Sequence, residues 1–267
     1  MKALAELSAA EAISIRGVIF DLDDTLLDHG ALTEAAYSSL FRLKELGLRR
    51  IACTGRPAGW AEIIMRQWPL DAAIAENGAI AFVRNDKALL RAHHLQGEAD
   101  DRETQQETLF KLAEELVTAF PDAALSDDNS FRKTDVTIDI GEYRRVPPNE
   151  VQAMRSIAKS RGVRTLASSV HLHLTHTAAD KASGTLRLIY EHFGEDPTLA
   201  RQRYAYVGDS GNDATAFAAF KLGFGVANIR RHLDRFSVPP RYVAPHAMGL
   251  GFSEIVARLH ALRTGPP

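Results

Sequence analysis

Two aspartates, Asp21 and Asp23, stand one residue apart where the apolar run Val18-Ile19-Phe20 ends. Such a pair can attack an electrophile, move protons, or hold a hard cation through oxygen. The run is short and rich in β-formers, so it reads as a buried strand, and alternation puts both carboxylates on the same side of its carboxyl end. Like charges that close persist in a fold only if a cation or a proton reconciles them. Further reactive types follow at three places: Thr54-Gly55-Arg56, Asp180-Lys181, and Gly208-Asp209-Ser210-Gly211-Asn212-Asp213. Taken singly, each has a plain structural explanation. The aspartate pair can be an acidic turn, Thr54 a helix cap, Lys181 a solvated charge, Arg56 a packing partner of Trp60, and the Asp209–Asp213 run a turn.

The elements that carry these residues alternate between strand and helix. Thr33 to Leu46 repeats apolar residues at helical spacing and stops at Gly47. Arg50–Cys53 reads as a strand running into Thr54, Trp60–Trp68 as a helix, and Ala72–Ala75 as a third strand. Glu76–Ala79 then reads as a hairpin turn returning through Ile80–Val83. This order predicts a parallel sheet with crossover helices, an α/β fold whose ligands bind at the carboxyl ends of the strands.

The pattern changes after Val83. A charge-dense stretch from Asp86 to Gln106 leads into an amphipathic helix, Glu107–Phe120, and then two alternating strands, Lys133–Ile140 and Ser169–Thr175, flank a helix over Asn149–Ser160. Clean alternation implies a sheet with one face buried by helices and one polar face turned to water or a ligand. At Asp180 the α/β pattern resumes: a helix Lys181–Phe193 ending at Gly194, a strand Tyr204–Val207, a helix Ala214–Leu222, a strand Gly225–Ala227 and a closing helix Phe252–Leu262. The expected organisation is therefore an α/β core over 15–83 and 179–267, an inserted α+β domain over 84–178, and a loosely docked N-terminal extension over 1–14.

Composition narrows the function. The chain has 267 residues with 32 basic against 34 acidic side chains, so no cationic excess points to nucleic acid. No apolar run approaches a membrane span, and Met1–Ala12 lacks a signal peptide's apolar stretch. The single cysteine, Cys53, excludes an internal disulfide and reads as a small buried strand residue. A cytoplasmic protein acting on a small molecule is expected; oligomeric state is not legible.

Asp21-Leu22-Asp23-Asp24-Thr25, Thr54-Gly55-Arg56, Asp180-Lys181 and Gly208-Asp209-Ser210-Gly211-Asn212-Asp213, in that order, resemble the four motifs of the haloacid dehalogenase-like superfamily. The insertion between the second and third motifs, with Ala75-Glu76-Asn77-Gly78-Ala79 at its entrance, is similar to the type IIB cap subgroup, which includes sugar-phosphate phosphatases and phosphomannomutases. The resemblance implies a Rossmann-like core and a Mg²⁺-dependent phosphatase acting on a small phosphorylated metabolite. By that pattern Asp21 is the nucleophile that forms an aspartyl-phosphate, and Asp23 protonates the leaving oxygen and then activates water. Asp21, the Asp23 carbonyl and Asp209 would hold Mg²⁺, with Asp213 a further candidate. Thr54, Gly55, Asn212 and Lys181 would hold the phosphoryl group, with Arg56 a candidate for the substrate; Asp213 would orient Lys181 or a metal-bound water.

The closing segment, Tyr242-Val243-Ala244-Pro245 through Gly249-Leu250-Gly251-Phe252, is similar to mannosyl-3-phosphoglycerate and sucrose phosphatases. The expected substrate is thus a sugar phosphate or a glycosyl phosphoglycerate. Phe131-Arg132 resembles the phosphomannomutase cap and keeps a phosphomutase open as an alternative. A non-catalytic binding protein is disfavoured, because the motif residues are all present. In the cap, Asp135, His171 and His173 are candidates for a substrate-facing surface. His171, His173 and His176 also invite a zinc reading, but His176 has the wrong strand parity and no cysteine accompanies them.

Overall fold

The computed structural model describes residues 1–95, 102–168 and 170–265. In chain order the elements are β1 (Lys2–Ala3), α1 (Ala9–Ser14), β2 (Gly17–Phe20), α2 (Glu34–Glu45), β3 (Arg49–Cys53), α3 (Ala58–Gln67), β4 (Ala72–Ala75), β5 (Ile80–Arg84) and β6 (Leu90–His94). Next come α4 (Arg102–Ala119), β7 (Ala124–Leu125), β8 (Asp135–Asp139), α5 (Pro148–Ser160), β9 (Arg164–Ala167) and β10 (His171–Thr175). The chain closes with α6 (Lys181–Phe193), α7 (Pro197–Arg203), β11 (Tyr204–Gly208), α8 (Ala214–Ala219), β12 (Leu222–Gly225), β13 (Tyr242–Val243) and α9 (Met248–Thr264).

Among the described residues, nine strands form one sheet in the order β1-β13-β12-β11-β2-β3-β4-β5-β6. From β1 to β4 every pairing is parallel; β5 and β6 join antiparallel. Alternation along β2 explains how one strand serves two layers. Val18 and Phe20 pack with α2, α3 and α9, through Leu40, Ile64 and Ile255, while Ile19 points to the opposite face with Leu188, Ile189 and Phe217 of α6 and α8. Burial on both faces is why these strands read as continuous apolar runs.

Four strands, in the order β7-β8-β10-β9, make a separate antiparallel sheet. Val136, Ile138, Leu172 and Leu174 line its apolar face against Leu112 and Leu116 of α4 and Met154 and Ala158 of α5. The other face carries Asp135, Thr137, Asp139 and His173, all buried, so it is not the solvated surface that alternation alone allows.

Several boundaries differ from expectation. Strand β6 pairs with β5 inside the large sheet, so Arg84–His94 belongs to the core and not to the insertion that was expected to start at 84. Its Leu-Arg-Ala-His-His sequence is mostly exposed at a sheet edge and carries no alternation signal. Residues 96–101 of the charge-dense stretch, and Ser169 at the start of the second predicted cap strand, lie outside the described residues. Strand β12 ends at Gly225, where the sequence pointed to Gly225–Ala227; its Leu-Gly-Phe-Gly hides the strand because helix α8 and the segment after it press close. A Cβ on Gly223 would meet the Phe217 ring at 2.8 Å, and one on Gly225 would meet Ile229 at 2.8 Å. Helix α7 and strands β7 and β9, too short for a periodic signal, also went unread.

The N-terminal segment is not a loose extension. Strand β1 pairs in parallel with β13, Ser8 caps α1 with Glu11 in a capping box, and Leu7, Ala12 and Ile15 are buried beneath α9. Arg258 donates to the Ala5 and Leu7 carbonyls and Arg263 to those of Ala12 and Ile15, so α9 pins the segment through its main chain. Leu7→Ala is expected to cost about 2–5 kcal/mol of stability, measured by urea unfolding; a change within about 0.5 kcal/mol would mark the segment as peripheral.

Candidate active site

Strand β2 lies where the strand order reverses: the chain runs outward through β3 and β4, then returns through β11 on the other side. Such switch points leave a crevice at the carboxyl ends of the strands. Asp21 stands at that point, its N–H donating to the Val207 carbonyl of β11 at 3.0 Å. Its Oδ1 accepts from the Leu22 N–H at 2.8 Å and lies 3.0 Å from Lys181 Nζ. Among the described residues no protein donor reaches Oδ2.

Lys181 opens helix α6, whose N-cap Asp180 accepts from Ala182 and Ser183. Its ammonium has no solvent exposure and bridges Asp21 and Asp213, donating to Asp213 Oδ1 at 2.7 Å. Burial works against that charge, but the two carboxylates hold its pKa above the ordinary lysine value. Asp213 also accepts from the Tyr206 hydroxyl on Oδ1, and from the main-chain N–H groups of Asp209 and Ser210 on Oδ2. With four donors on two oxygens, Asp213 is built to fix Lys181 and offers little to a metal. Gly208 makes that possible, since a Cβ there would sit 2.5 Å from Asp213 Oδ2.

Asp209 follows the end of β11 beside Asp21 and is held by the Thr25 hydroxyl at 3.1 Å and the Asn228 amide at 2.7 Å. Asp21, Asp209 and Asp213 each place an oxygen within 4.8 Å of the others. Burial and the neighbouring carboxylates push Asp21 up to about 7 and Asp209 up to about 9. Buried acids that disfavour each other's ionisation call for a cation, and an all-oxygen donor set suits Mg²⁺ better than a softer metal. The residues therefore fit a hard divalent ion held by Asp21 and Asp209.

Asp23 is half exposed at the cavity edge and receives a forked contact from Arg56: Nε at 2.9 and 3.0 Å to its two oxygens, Nη2 at 2.6 Å. The Arg56 guanidinium also stacks 4.1 Å from the Trp60 ring centre, so packing on Trp60 and pairing with Asp23 occur together. Thr54 is fully buried at the end of β3, its Oγ1 accepting from the Arg56 N–H at 3.1 Å. The residue that caps α3 is Pro57, so Thr54 is no helix cap.

The turn Glu76-Asn77-Gly78 ties the site to the cap. All three residues have left-handed backbone, with φ of 51°, 54° and 104°. Gly78 is required, because its Cβ would lie 2.1 Å from the Asp180 carbonyl. The Asn77 side chain lies beside Gly55 and accepts from Asn212 at 3.5 Å. Glu76 is buried and accepts from the N–H groups of Ala58 on α3 and of Lys133 and Thr134 at the entrance to β8, at 2.9, 2.9 and 2.6 Å. Burial and Asp135 push its carboxyl up to about 7, against those donors.

Core and cap enclose a cavity of about 290 Å³. Asp21, Asp23, Gly55, Arg56, Asp209 and Asn212 contribute from the core, and Arg132, Glu142, His171 and His173 from the cap. Lys181 and Thr54 are buried and do not line it. Asp135 does not reach it: this carboxylate is the counter-ion of the buried Arg132, at 3.0 Å, and binds His173 Nδ1 at 2.8 Å. Arg132 also pairs with Asp128 and donates to the Gly55 carbonyl at 3.2 Å, joining cap to core. His171 meets Glu142 at 2.8 Å. Cys53 is buried and its thiol is pushed up to about 12 by burial, an inert strand residue. Sequence reasoning missed Asn228, Asp128 and Glu142, which carry no motif, and gave Thr25 and Asn77 no role although each stood inside a stretch that carried the resemblance.

Asp213→Ala would leave the Lys181 ammonium buried with one partner. It is expected to cost about 3–5 kcal/mol in urea unfolding, and the double variant Lys181→Met/Asp213→Ala should recover part of that loss; a single variant as stable as the parent would refute the arrangement.

Residues 18–116 match the family described as haloacid dehalogenase-like hydrolase. No curated protein matches the chain. Among solved structures, one from Thermoplasma acidophilum superposes with a TM-score of 0.70 at 20% identity, over 92% of this chain and 98% of that one. The sucrose-phosphatase of Synechocystis, solved with sucrose and phosphate, gives 0.64 at 17% identity over 92% and 98%. The trehalose-6-phosphate phosphatase of Aspergillus fumigatus gives 0.61 at 17% over 97% and 99%. At these identities the likeness shows a shared fold. Residues 18–116 thus resemble the haloacid dehalogenase-like hydrolases, and the chain shares the fold of these structures, with its four motif clusters gathered at one end of the large sheet.

Proposed function

We propose that the chain is a Mg²⁺-dependent phosphatase that hydrolyses a small phosphorylated metabolite, a sugar phosphate or glycosyl phosphoglycerate, through an aspartyl-phosphate on Asp21. One observation carries this reading: a carboxylate with a free oxygen at the sheet switch point, beside an ammonium that Asp213 holds in place. When bound, Mg²⁺ supplies the positive charge that lets a carboxylate approach an anionic ester.

In this mechanism Asp21 Oδ2 attacks phosphorus and the ester P–O bond breaks. Asp23, at the cavity edge, gives a proton to the leaving oxygen, then takes one from the water that cleaves the aspartyl-phosphate. Inorganic phosphate leaves and Asp21 is restored. Lys181 balances charge on Asp21 and on the transferring group from a fixed position, so no reorganisation is needed in the transition state. By the motif resemblance Thr54 and Asn212 offer a hydroxyl and an amide to the phosphoryl group, and Arg56 keeps Asp23 oriented. The phosphomutase alternative needs a cation in the cap for a second phosphate, and Arg132 is already matched by Asp128 and Asp135.

Asp21→Asn is expected to lower kcat/KM for p-nitrophenyl phosphate by at least about 10³-fold, and EDTA should abolish turnover that added Mg²⁺ restores. Asp23→Ala should lose steady-state turnover while still binding inorganic phosphate by calorimetry. An Asp21→Asn protein as active as the parent would end this reading.

A further inference from the structure

The cap half of the cavity is lined by Asp127, Asp128, Arg132, Glu142, His171 and His173, with Ser168 and Val170 between them. Arg132 is its one Arg or Lys side chain among the described residues, and its charge is shared by Asp128 at 2.8 Å and Asp135 at 3.0 Å. Among the described residues one other guanidinium lines the cavity, that of Arg56, and it is taken by Asp23. Burial lowers the His173 pKa, which keeps that imidazole neutral against Asp135. Two acids remain without an Arg or Lys ion pair among the described residues: Asp127, which is exposed, and Glu142, which pairs with His171 and meets the Arg56 charge only at longer range. Arg144 and Arg145 follow Glu142 but are exposed and lie outside the cavity wall.

A leaving group placed here meets acceptors and net negative charge. Hydroxyl or ammonium groups find partners; a carboxylate or second phosphate finds none and is repelled. We infer that the cap selects a leaving group bearing hydroxyl or ammonium donors and no second anionic substituent, with Asp127 and Glu142 as the specificity-determining residues. This rests on the phosphatase reading above and narrows it: simple or aminated sugar phosphates fit, whereas glycosyl phosphoglycerates, which keep a carboxylate after hydrolysis, do not.

The test varies charge on one scaffold: 4-methylphenyl, 4-(aminomethyl)phenyl and 4-(carboxymethyl)phenyl phosphate, with Mg²⁺, followed by phosphate release. The parent protein should hydrolyse the carboxymethyl ester at least about tenfold less efficiently than the methyl ester, and the aminomethyl ester at least as well as the methyl ester. In Asp127→Asn/Glu142→Gln, both side chains being surface-accessible, the three kcat/KM values should converge to within about threefold. A carboxymethyl ester that matches or outruns the methyl ester, or a ratio unmoved in the double variant, overturns the inference while leaving the phosphatase reading intact. No release from any ester, p-nitrophenyl phosphate included, removes both.

Discussion

An ammonium without access to water, 3.0 Å from Asp21 and 2.7 Å from Asp213, is the contact on which the rest of the site is arranged. Lysine is a strongly hydrated point charge, so placing it under a sheet edge demands carboxylates on more than one side. Asp213 answers that demand and is itself held by a tyrosine hydroxyl and two main-chain N–H groups. Asp21 supplies the other side and thereby becomes an acid whose charge depends on its neighbours. Asp209 joins them at the price of a third buried carboxylate. The cluster has one cation for three acids, an imbalance that only a metal ion or bound protons relieve.

Backbone geometry delivers these charges to one point. The crossover order brings β2 and β11 side by side although the whole insertion and much of the core separate them in sequence. Gly208 lets Asp213 fold back beneath β11, and the left-handed turn at Glu76-Asn77-Gly78 lets the start of α6, at Asp180 and Gly184, approach the main chain of Gly78. At Gly184 a Cβ would fall 2.2 Å from the Gly78 carbonyl, so two glycines define how far Lys181 reaches.

How much of this was legible in the sequence follows from how local each feature is. The buried parallel strands stood out because burial on both faces leaves runs such as Val18-Ile19-Phe20 and Ala72–Ala75, the latter with matching bounds. Lys181–Phe193 was also bounded correctly, since Asp180 caps one end and Gly194 the other. The core site residues were legible because they cluster in short motifs at strand ends. What stayed hidden depends on pairing across distance. Edge strand β6 has no periodicity, β12 is masked by its glycines, and Asn228 reaches Asp209 from a segment with no signal of its own. The cap's alternation correctly gave an apolar face, yet could not show that Asp135 on the other face would be spent on Arg132 rather than turned to the cavity.

The attachment of cap to core has a consequence for how the chain can change. Glu76 grips the insertion through the N–H groups of Lys133 and Thr134 and through the Thr134 hydroxyl, and the core carbonyl of Gly55 receives a further link from Arg132. Two of these links ask nothing of the side chains they hold, because every residue except proline presents the same N–H. The cap can therefore exchange most of its surface residues without losing its seat over the core carboxylates. A fold joined in this way separates the evolution of what is recognised from the evolution of what is done to it.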